Sequence, residues 1–200
     1  MMLQRLTGLF GALVLASTLS ACADDTSADV SAPATQSVAP DPATAKLTIE
    51  IVDKMNSTLQ EMTGSALGQI EVSSISVSTS GNMAVDALDP AKPTEFNQYV
   101  SYWDGRTDVR PYDYGGSEKL PALRETLFAA NTVAPQTLVD VWTDSFERVE
   151  GERAELNASA GPTVTRADET GPVEIYVVNG TERDRQTVYY DATGNFLRVS

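Results

Sequence analysis

The same order of elements occurs twice in this chain, and this recurrence constrains its fold more than any other feature. A helical pattern is followed by strands that can pair as hairpins, and the two occurrences are related by an offset of 87 residues. At this offset Tyr102-Trp103-Asp104 coincides with Tyr189-Tyr190-Asp191. The helical positions that coincide are Ile51, Val52, Met55, Leu59, Met62 and Gly64 with Leu138, Val139, Trp142, Phe146, Val149 and Gly151. We therefore predict an α+β fold of two tandem halves, each a helix with an antiparallel sheet.

The first half, residues 44–116, is predicted to begin with a helix over Lys46–Met62 that Gly64 ends. Four strands should follow, and the last two flank Asp104-Gly105, a strong hairpin signal. These strands are Ile70–Val77, Met83–Leu88, Phe96–Trp103 and Thr107–Tyr112. Chance remains the alternative to duplication, because any two amphipathic helices can be aligned and only the hairpin is independent.

The second half, residues 117–200, should begin with a connecting helix over Ser117–Ala130, for which Pro121 suits the first turn. A second core helix then ends at Gly151. Weak strand signals lie at Ala154–Ala160, and stronger ones at Val173–Asn179, Arg185–Tyr190 and Asn195–Val199. The last hairpin is predicted to turn at Asp191-Ala192-Thr193-Gly194.

Residues 1–21 have the organisation of a secretory signal peptide, with Arg5 before an apolar stretch of 14 residues that is too short to span a membrane. The sequence Leu19-Ser20-Ala21-Cys22 resembles the lipobox of bacterial lipoprotein precursors. This resemblance implies cleavage before Cys22, attachment of diacylglycerol to its thiol, acylation of its new amino group by a fatty acid such as palmitate, and anchoring at the extracytoplasmic face of the cell membrane. Whether that is the inner or outer membrane stays open. The alternative is an ordinary signal peptide with an incidental cysteine.

Residues 22–43 are predicted to form a disordered tether, because they combine aspartates, prolines and small residues with no aromatic side chain. The formal net charge of the whole chain is −14. Nucleic acid and anionic lipid should therefore repel the protein. We expect its partners to be the membrane, reached through the lipid anchor, and a protein of the cell envelope.

Missing residue types limit the chemistry of this chain. There is no histidine, and Cys22 is the only cysteine. Histidine-dependent triads, thiol nucleophiles and zinc or iron sites built on these residues are excluded. The acidic turn Asp104–Asp108 lacks the ligand spacing of a calcium-binding EF-hand loop. We therefore expect no enzymatic activity, no cofactor and no metal site.

Aromatic residues are concentrated around the first hairpin and suggest a contact patch for a protein or glycan. Alternation should place Tyr99 and Trp103 on one sheet face, and Phe96, Val100 and Tyr102 on the other. The alternative is that these rings pack across the strands inside the fold. The candidate patch consists of Tyr99, Tyr102, Trp103, Tyr112 and Tyr114.

Two family resemblances concern the folded part. A helix laid across an antiparallel sheet, with strands such as Val188–Asp191 and Phe196–Val199, resembles the PepSY-like and beta-lactamase-inhibitor-protein-like tandem modules. That resemblance implies a non-enzymatic module that binds or inhibits proteins. The alternative is similarity to lipoprotein carriers of the LolA and LppX type, which hold acyl chains against an apolar sheet face. Because serines interrupt the strand Glu71–Ser76, the binding module ranks first.

Overall fold

The structure is a computed structural model that describes residues 45–149, 161–181 and 184–200. The signal peptide, Cys22, the tether, Gly151 and the strand predicted over 154–160 lie outside these residues. The helices are α1 (Ile49–Thr63), α2 (Leu120–Thr126) and α3 (Pro135–Arg148). The strands are β1 (Glu71–Val77), β2 (Met83–Asp89), β3 (Lys92–Ser101), β4 (Thr107–Pro111), β5 (Phe128–Ala129), β6 (Thr163–Arg166), β7 (Val173–Thr181), β8 (Asp184–Asp191) and β9 (Phe196–Val199). These helices and the nine-stranded antiparallel sheet confirm the α+β class.

The first core helix forms where the sequence predicted it. The Thr48 hydroxyl accepts a hydrogen bond from the Ile51 amide at 3.4 Å and caps the start of α1. At the other end Gly64 has φ 65°, and its amide donates to the Gln60 carbonyl at 2.8 Å. A left-handed backbone at this position suits glycine, which has no Cβ to clash. In the described part of the chain, no helix is long and apolar enough to cross a membrane.

The strand order in the sheet is β4-β3-β2-β1-β6-β7-β8-β9, and β5 pairs with the start of β1. The order is therefore symmetric about the β1–β6 pair, with one meander of four strands on each side. Each predicted hairpin is present, since β1 pairs with β2, β3 with β4 and β8 with β9. The central strand β6 was not predicted.

The two sides of the sheet are not related by one constant offset. The turn after β3 has hydrogen bonds from the Tyr102 amide to the Arg106 carbonyl and from the Gly105 amide to the Tyr102 carbonyl. The turn after β8 has the same two bonds 89 residues later, at Asp191, Asn195 and Gly194. In the helices, three buried residues of α1 match buried residues of α3 at an offset of 86, and one pair, Met55 and Trp142, also matches at 87. The buried residues are Val52, Met55 and Leu59 in α1 and Leu138, Val141, Trp142 and Ser145 in α3. An offset of 87 throughout is therefore wrong, and the duplication itself stays a prediction.

One face of the sheet packs against α1 and α3 and forms the main core. A row of paired apolar residues crosses eight strands on this face: Val109, Tyr99, Val85, Ile75, Val164, Ile175, Tyr190 and Phe196. The inner members are buried, except that Ile75 is partly buried, whereas Val109 and Phe196 at the sheet edges are exposed. Tyr99 faces the helices, and Phe96 and Val100 lie on the opposite face, as strand alternation predicted.

A smaller core lies at one corner of the opposite face. Leu88, Phe96 and Leu127 form it, and Leu120 and Leu123 pack against them. The connecting helix ends at Thr126, earlier than predicted, because Phe128 and Ala129 pair with β1 as strand β5. The Arg166 guanidinium donates hydrogen bonds to the Thr126 and Leu127 carbonyls at 2.8 and 2.9 Å. These bonds fix the backbone where the chain leaves α2.

Candidate binding surface

The sheet face opposite α1 and α3 carries mostly polar side chains. We call this surface, outside the corner that α2 covers, the open face. Its members alternate along the strands with the core residues, and most of them are at least partly exposed. They include Ser74, Ser76, Asp86, Gln98, Arg110, Thr163, Thr165, Tyr176, Tyr189 and Arg198.

Small hydroxyl residues occupy the centre of the open face, where β1 and β6 meet. The Ser76 and Thr163 hydroxyls are 3.1 Å apart across the strand pair, and Ser74 pairs with Thr165. These side chains are short, so the centre is lower than the flanks that carry longer residues. A binding partner can therefore approach the sheet backbone most closely here.

Asp86 organises one flank of the open face. Its Oδ2 accepts a hydrogen bond from the Ser74 hydroxyl at 3.0 Å, and its Oδ1 accepts one from Gln98 Nε2 at 3.1 Å. The three residues lie on the adjacent strands β1, β2 and β3. Because both oxygens of the carboxylate are used, the side chains are held in fixed positions before any partner arrives.

The other flank carries a cluster of Glu174, Tyr176, Tyr189 and Arg198, which we call the tyrosine–arginine cluster. Arg198 forms two hydrogen bonds with the Glu174 carboxylate, at 3.0 and 2.9 Å. Hydrogen bonding to Glu174 raises the pKa of Arg198. The guanidinium carbon of Arg198 lies 3.8 Å from the centre of the Tyr189 ring, and Tyr176 lies 6.1 Å from Tyr189 between ring centres. Arginine is thus fixed by a bidentate ion pair and by stacking at the same time.

A second tyrosine with arginine partners lies at the opposite end of the open face. The Tyr102 hydroxyl accepts a hydrogen bond from Arg110 Nη2 at 2.9 Å, and the Arg106 guanidinium is 5.0 Å from the Tyr102 ring centre. Hydrogen bonding to Arg106 lowers the pKa of Asp104. The negative charge of Asp104 is therefore balanced by the positive charge of Arg106 within the same turn. Within the described ranges, no group of three or more acidic residues is arranged to hold a metal ion.

The five aromatic residues of the predicted patch do not form one surface. Tyr99 is 2 % exposed and belongs to the core, and its burial raises the pKa of its hydroxyl. Tyr102 and Trp103 lie after β3 and both line a cleft beside α1, and the Tyr102 hydroxyl also accepts a hydrogen bond from Arg110. The alternation that predicted their positions ends with β3 at Ser101.

The remaining two patch residues pack at the corner near α2. Tyr112 and Tyr114 lie edge-on to Phe96, with ring centres 5.5 and 6.3 Å apart. The Tyr114 hydroxyl donates to the Thr94 carbonyl at 2.9 Å. Tyr112 and Tyr114 therefore pack against an aromatic ring within the fold, and Tyr99 packs in the main core.

Sequence reasoning missed the tyrosine–arginine cluster. Alternation in β7 and β8 shows that Tyr176 and Tyr189 each point away from the core side of its strand. It does not give the register that makes them partners, nor the bulge at Tyr189–Tyr190 that accompanies the pairing of Arg198.

The chain matches no family model, and no curated protein or solved structure matches it. Function must therefore be argued from the surface itself.

Proposed function

We propose that this protein is an extracytoplasmic lipoprotein, anchored to the membrane through Cys22, that binds a protein partner through the open face of its sheet. The observation that carries the binding proposal is the tyrosine–arginine cluster. Tyrosine and arginine are enriched among the residues that dominate binding energy at protein interfaces. In this cluster Tyr176, Tyr189 and Arg198 are at least partly exposed, and Glu174 beneath them is buried.

The fixed conformation of the tyrosine–arginine cluster also supports binding, in addition to its composition. A flexible arginine loses conformational freedom when it binds a partner, and this loss weakens the complex. Arg198 has already lost that freedom, because Glu174 and Tyr189 hold it from two directions. Its side chain is nevertheless 49 % exposed and can contact a partner without moving.

The dimensions of the open face fit a protein partner. Adjacent strands lie about 4.8 Å apart, so eight strands span roughly 34 Å. With strands about 20 Å long, the face approaches the roughly 800 Å² that each partner contributes to a standard interface. The charges on this face are largely paired, as in Arg198 with Glu174 and Arg110 with Asp108. Paired charges favour a neutral polar protein surface over a polyanion.

The membrane anchor is supported by the leader and by its lipobox-like sequence. The apolar stretch, the small residues and Cys22 occur in the order that lipidation requires. Two or more acyl chains anchor a protein stably, whereas one chain binds only marginally. The tether over residues 22–43 would let the folded part reach partners at a distance from the lipid.

The carrier alternative has less support. An acyl chain would need an apolar sheet face that side chains leave unfilled. Here the apolar face is packed against α1 and α3, and Val85, Ile175 and Val188 are fully buried. The opposite face carries hydroxyl and charged groups at its centre and flanks. Neither face offers the lining that an acyl chain prefers.

The proposal is tested by crosslinking the full-length protein in the cells that make it and purifying it with its partners. We expect a discrete partner with the unaltered chain and with Gln136→Ala, which changes an exposed residue on α3. Tyr189→Ala should reduce recovery of that partner at least about tenfold, as loss of a major interface residue does. Unchanged recovery with Tyr189→Ala, at an unchanged melting temperature, would contradict binding through this face. Lipid that co-purifies in place of a protein would favour the carrier.

A further inference from the structure

The two equivalent turns of the sheet approach their helices differently. In the turn after β8, a Cβ added to Gly194 would lie 3.1 Å from Thr137 Cγ2 and 3.5 Å from Val141 Cγ1 of α3. In the turn after β3, a Cβ added to Gly105 would have no neighbour within 4 Å. The turn after β3, which we call the first turn, is therefore separated from α1 at the position where the turn after β8 contacts α3.

Trp103 explains this separation. At the offset of 89 residues that relates the two turns, Trp103 corresponds to Ala192, which packs against the core. An indole needs much more room than a methyl group, so the first turn cannot close onto its helix in the same way. The result is a cleft of about 240 Å³, lined by Ile51, Lys54, Met55 and Thr58 of α1 and by Trp103.

The wall that carries Trp103 is held in place by hydrogen bonds. The Trp103 amide donates to Asn82 Oδ1 at 2.9 Å. Asn82 is fixed in turn, because its amide donates to the Ser78 hydroxyl at 3.0 Å and its Nδ2 to the Ser80 hydroxyl at 3.0 Å. The cleft is thus formed before a ligand arrives, which lowers the entropy that binding would cost.

The lining defines the chemistry of a ligand. Trp103 and Met55 line the cleft, and an indole and a thioether both favour contact with an aromatic ring. A cavity of about 150 Å³ takes benzene, so this cleft has room for one ring and a small substituent. Lys54 lies at the cleft, and no carboxylate in the described part of the chain pairs with it. An ammonium group in this position favours a carboxylate as that substituent.

We propose that this cleft is a binding site for a small aromatic monocarboxylate with a single ring. The ring would lie between Met55 and Trp103, and the carboxylate would bind Lys54. This site lies between α1 and the turn after β3, and it meets the open face only at Tyr102. Its test uses small-molecule probes and does not depend on the proposed protein partner.

Methyl NMR on the full chain, with ¹³C-methyl-labelled methionine, tests the site directly. Phenylacetate is the probe, and phenylacetamide and phenethylamine are its neutral and cationic counterparts. We expect phenylacetate to shift the Met55 methyl and the Trp103 indole signals saturably, with a Kd on the order of 1 mM, as suits about ten heavy atoms. The methyl of Met62, which lies on α1 but does not line the cleft, should not move. Shifts that do not saturate, or that affect Met62 equally, would overturn the proposal.

Two substitutions separate the role of the charge from that of the cavity. Lys54→Gln should weaken phenylacetate binding at least about fivefold and leave phenylacetamide unchanged, because only the carboxylate needs the ammonium group. Lys46→Gln, at an exposed lysine that does not line the cleft, is the control and should change neither. Thr58→Leu should narrow the cleft and weaken both probes. Equal binding of phenylacetate by Lys54→Gln and the unaltered chain would overturn the assignment of a carboxylate ligand.

Discussion

The Tyr190 hydroxyl donates a hydrogen bond to Asp144 Oδ2 at 2.9 Å and connects β8 to α3. Arg148 binds the same carboxylate at 2.9 and 3.1 Å, and its guanidinium lies 4.6 Å from the Phe196 ring centre on β9. Burial is the main cause that raises the pKa of Tyr190, so the hydroxyl keeps its proton and remains a donor. These contacts link α3 to β8 and β9, the two outer strands on its side of the sheet.

Replacing Tyr190 by phenylalanine should lower the free energy of unfolding by about 1–2 kcal/mol, because hydrogen bonds to charged groups contribute roughly 1.5–3 kcal/mol and this one is only partly buried. Urea unfolding measures this change. Tyr189→Phe is the control, because Tyr189 is partly exposed and lies on the other face of the same strand. Equal effects of the two substitutions would show that the bond to Asp144 contributes nothing.

The Asp144 carboxylate should make stability depend on pH. Hydrogen bonding from Arg148 is the main cause that lowers the pKa of Asp144, and Tyr190 adds to it. A folded-state pKa below the unfolded value stabilises the fold at neutral pH, and this contribution is lost as the pH falls through the lowered pKa. The stability difference between the unaltered chain and Asp144→Asn should therefore shrink from pH 7 toward pH 2. A constant difference in urea unfolding across this range would contradict the assignment.

The two hairpin glycines form a matched pair for testing how closely the turns approach the helices. Gly105 and Gly194 have φ of 86° and 90°, so alanine at either position is strained by about 1–2 kcal/mol. Only at Gly194 would the new methyl group also press on Thr137, at 3.1 Å, next to an ordinary contact with Val141 at 3.5 Å. Thermal or urea unfolding should show Gly194→Ala to be less stable than Gly105→Ala by about 1 kcal/mol. The reverse order would contradict the difference between the turns on which the proposed cleft depends.

The anchor has its own test in Cys22. Cys22→Ser should abolish metabolic labelling of the protein with palmitate and release the chain from the membrane fraction, because serine provides no thiol for acylation. The melting temperature of the folded part should not change. Equal labelling of the unaltered chain and Cys22→Ser would contradict the lipoprotein proposal. It would not bear on binding through the open face.

Local sequence signals predicted the helices and hairpins well. The apolar spacing and Gly64 predicted α1, and Asp104-Gly105 predicted a turn, because these features act within a few residues. The helix begins at Ile49, after the Thr48 cap, and not at Lys46 as predicted. The helix around Leu120 was predicted too long, since the pairing of Phe128 with Val72 comes from residues far away in the chain. Strand β6 was missed because Thr163–Arg166 has only one buried apolar residue, Val164, and depends on β1 and β7 for its pairing.

The candidate surface was harder to predict than the fold. Composition drew attention to the aromatic residues near Trp103, but closeness in sequence does not bring side chains to one face when a turn intervenes. Tyr176, Tyr189 and Arg198 are brought together only by the register of three strands. Pairing register depends on bulges such as the one at Tyr189–Tyr190, which the sequence pattern does not reveal.

The central claim is that the open face binds a protein partner, and a photocrosslinking amino acid placed in the full-length chain tests it most directly in cells. The crosslinker would replace Thr163 or Thr165 on the open face, beside the tyrosine–arginine cluster, and, as controls, Gln136 or Glu147, which are exposed on α3. We predict one discrete adduct from both positions of the open face and none from the α3 positions. An adduct formed equally from α3, or from α3 alone, would contradict the claim.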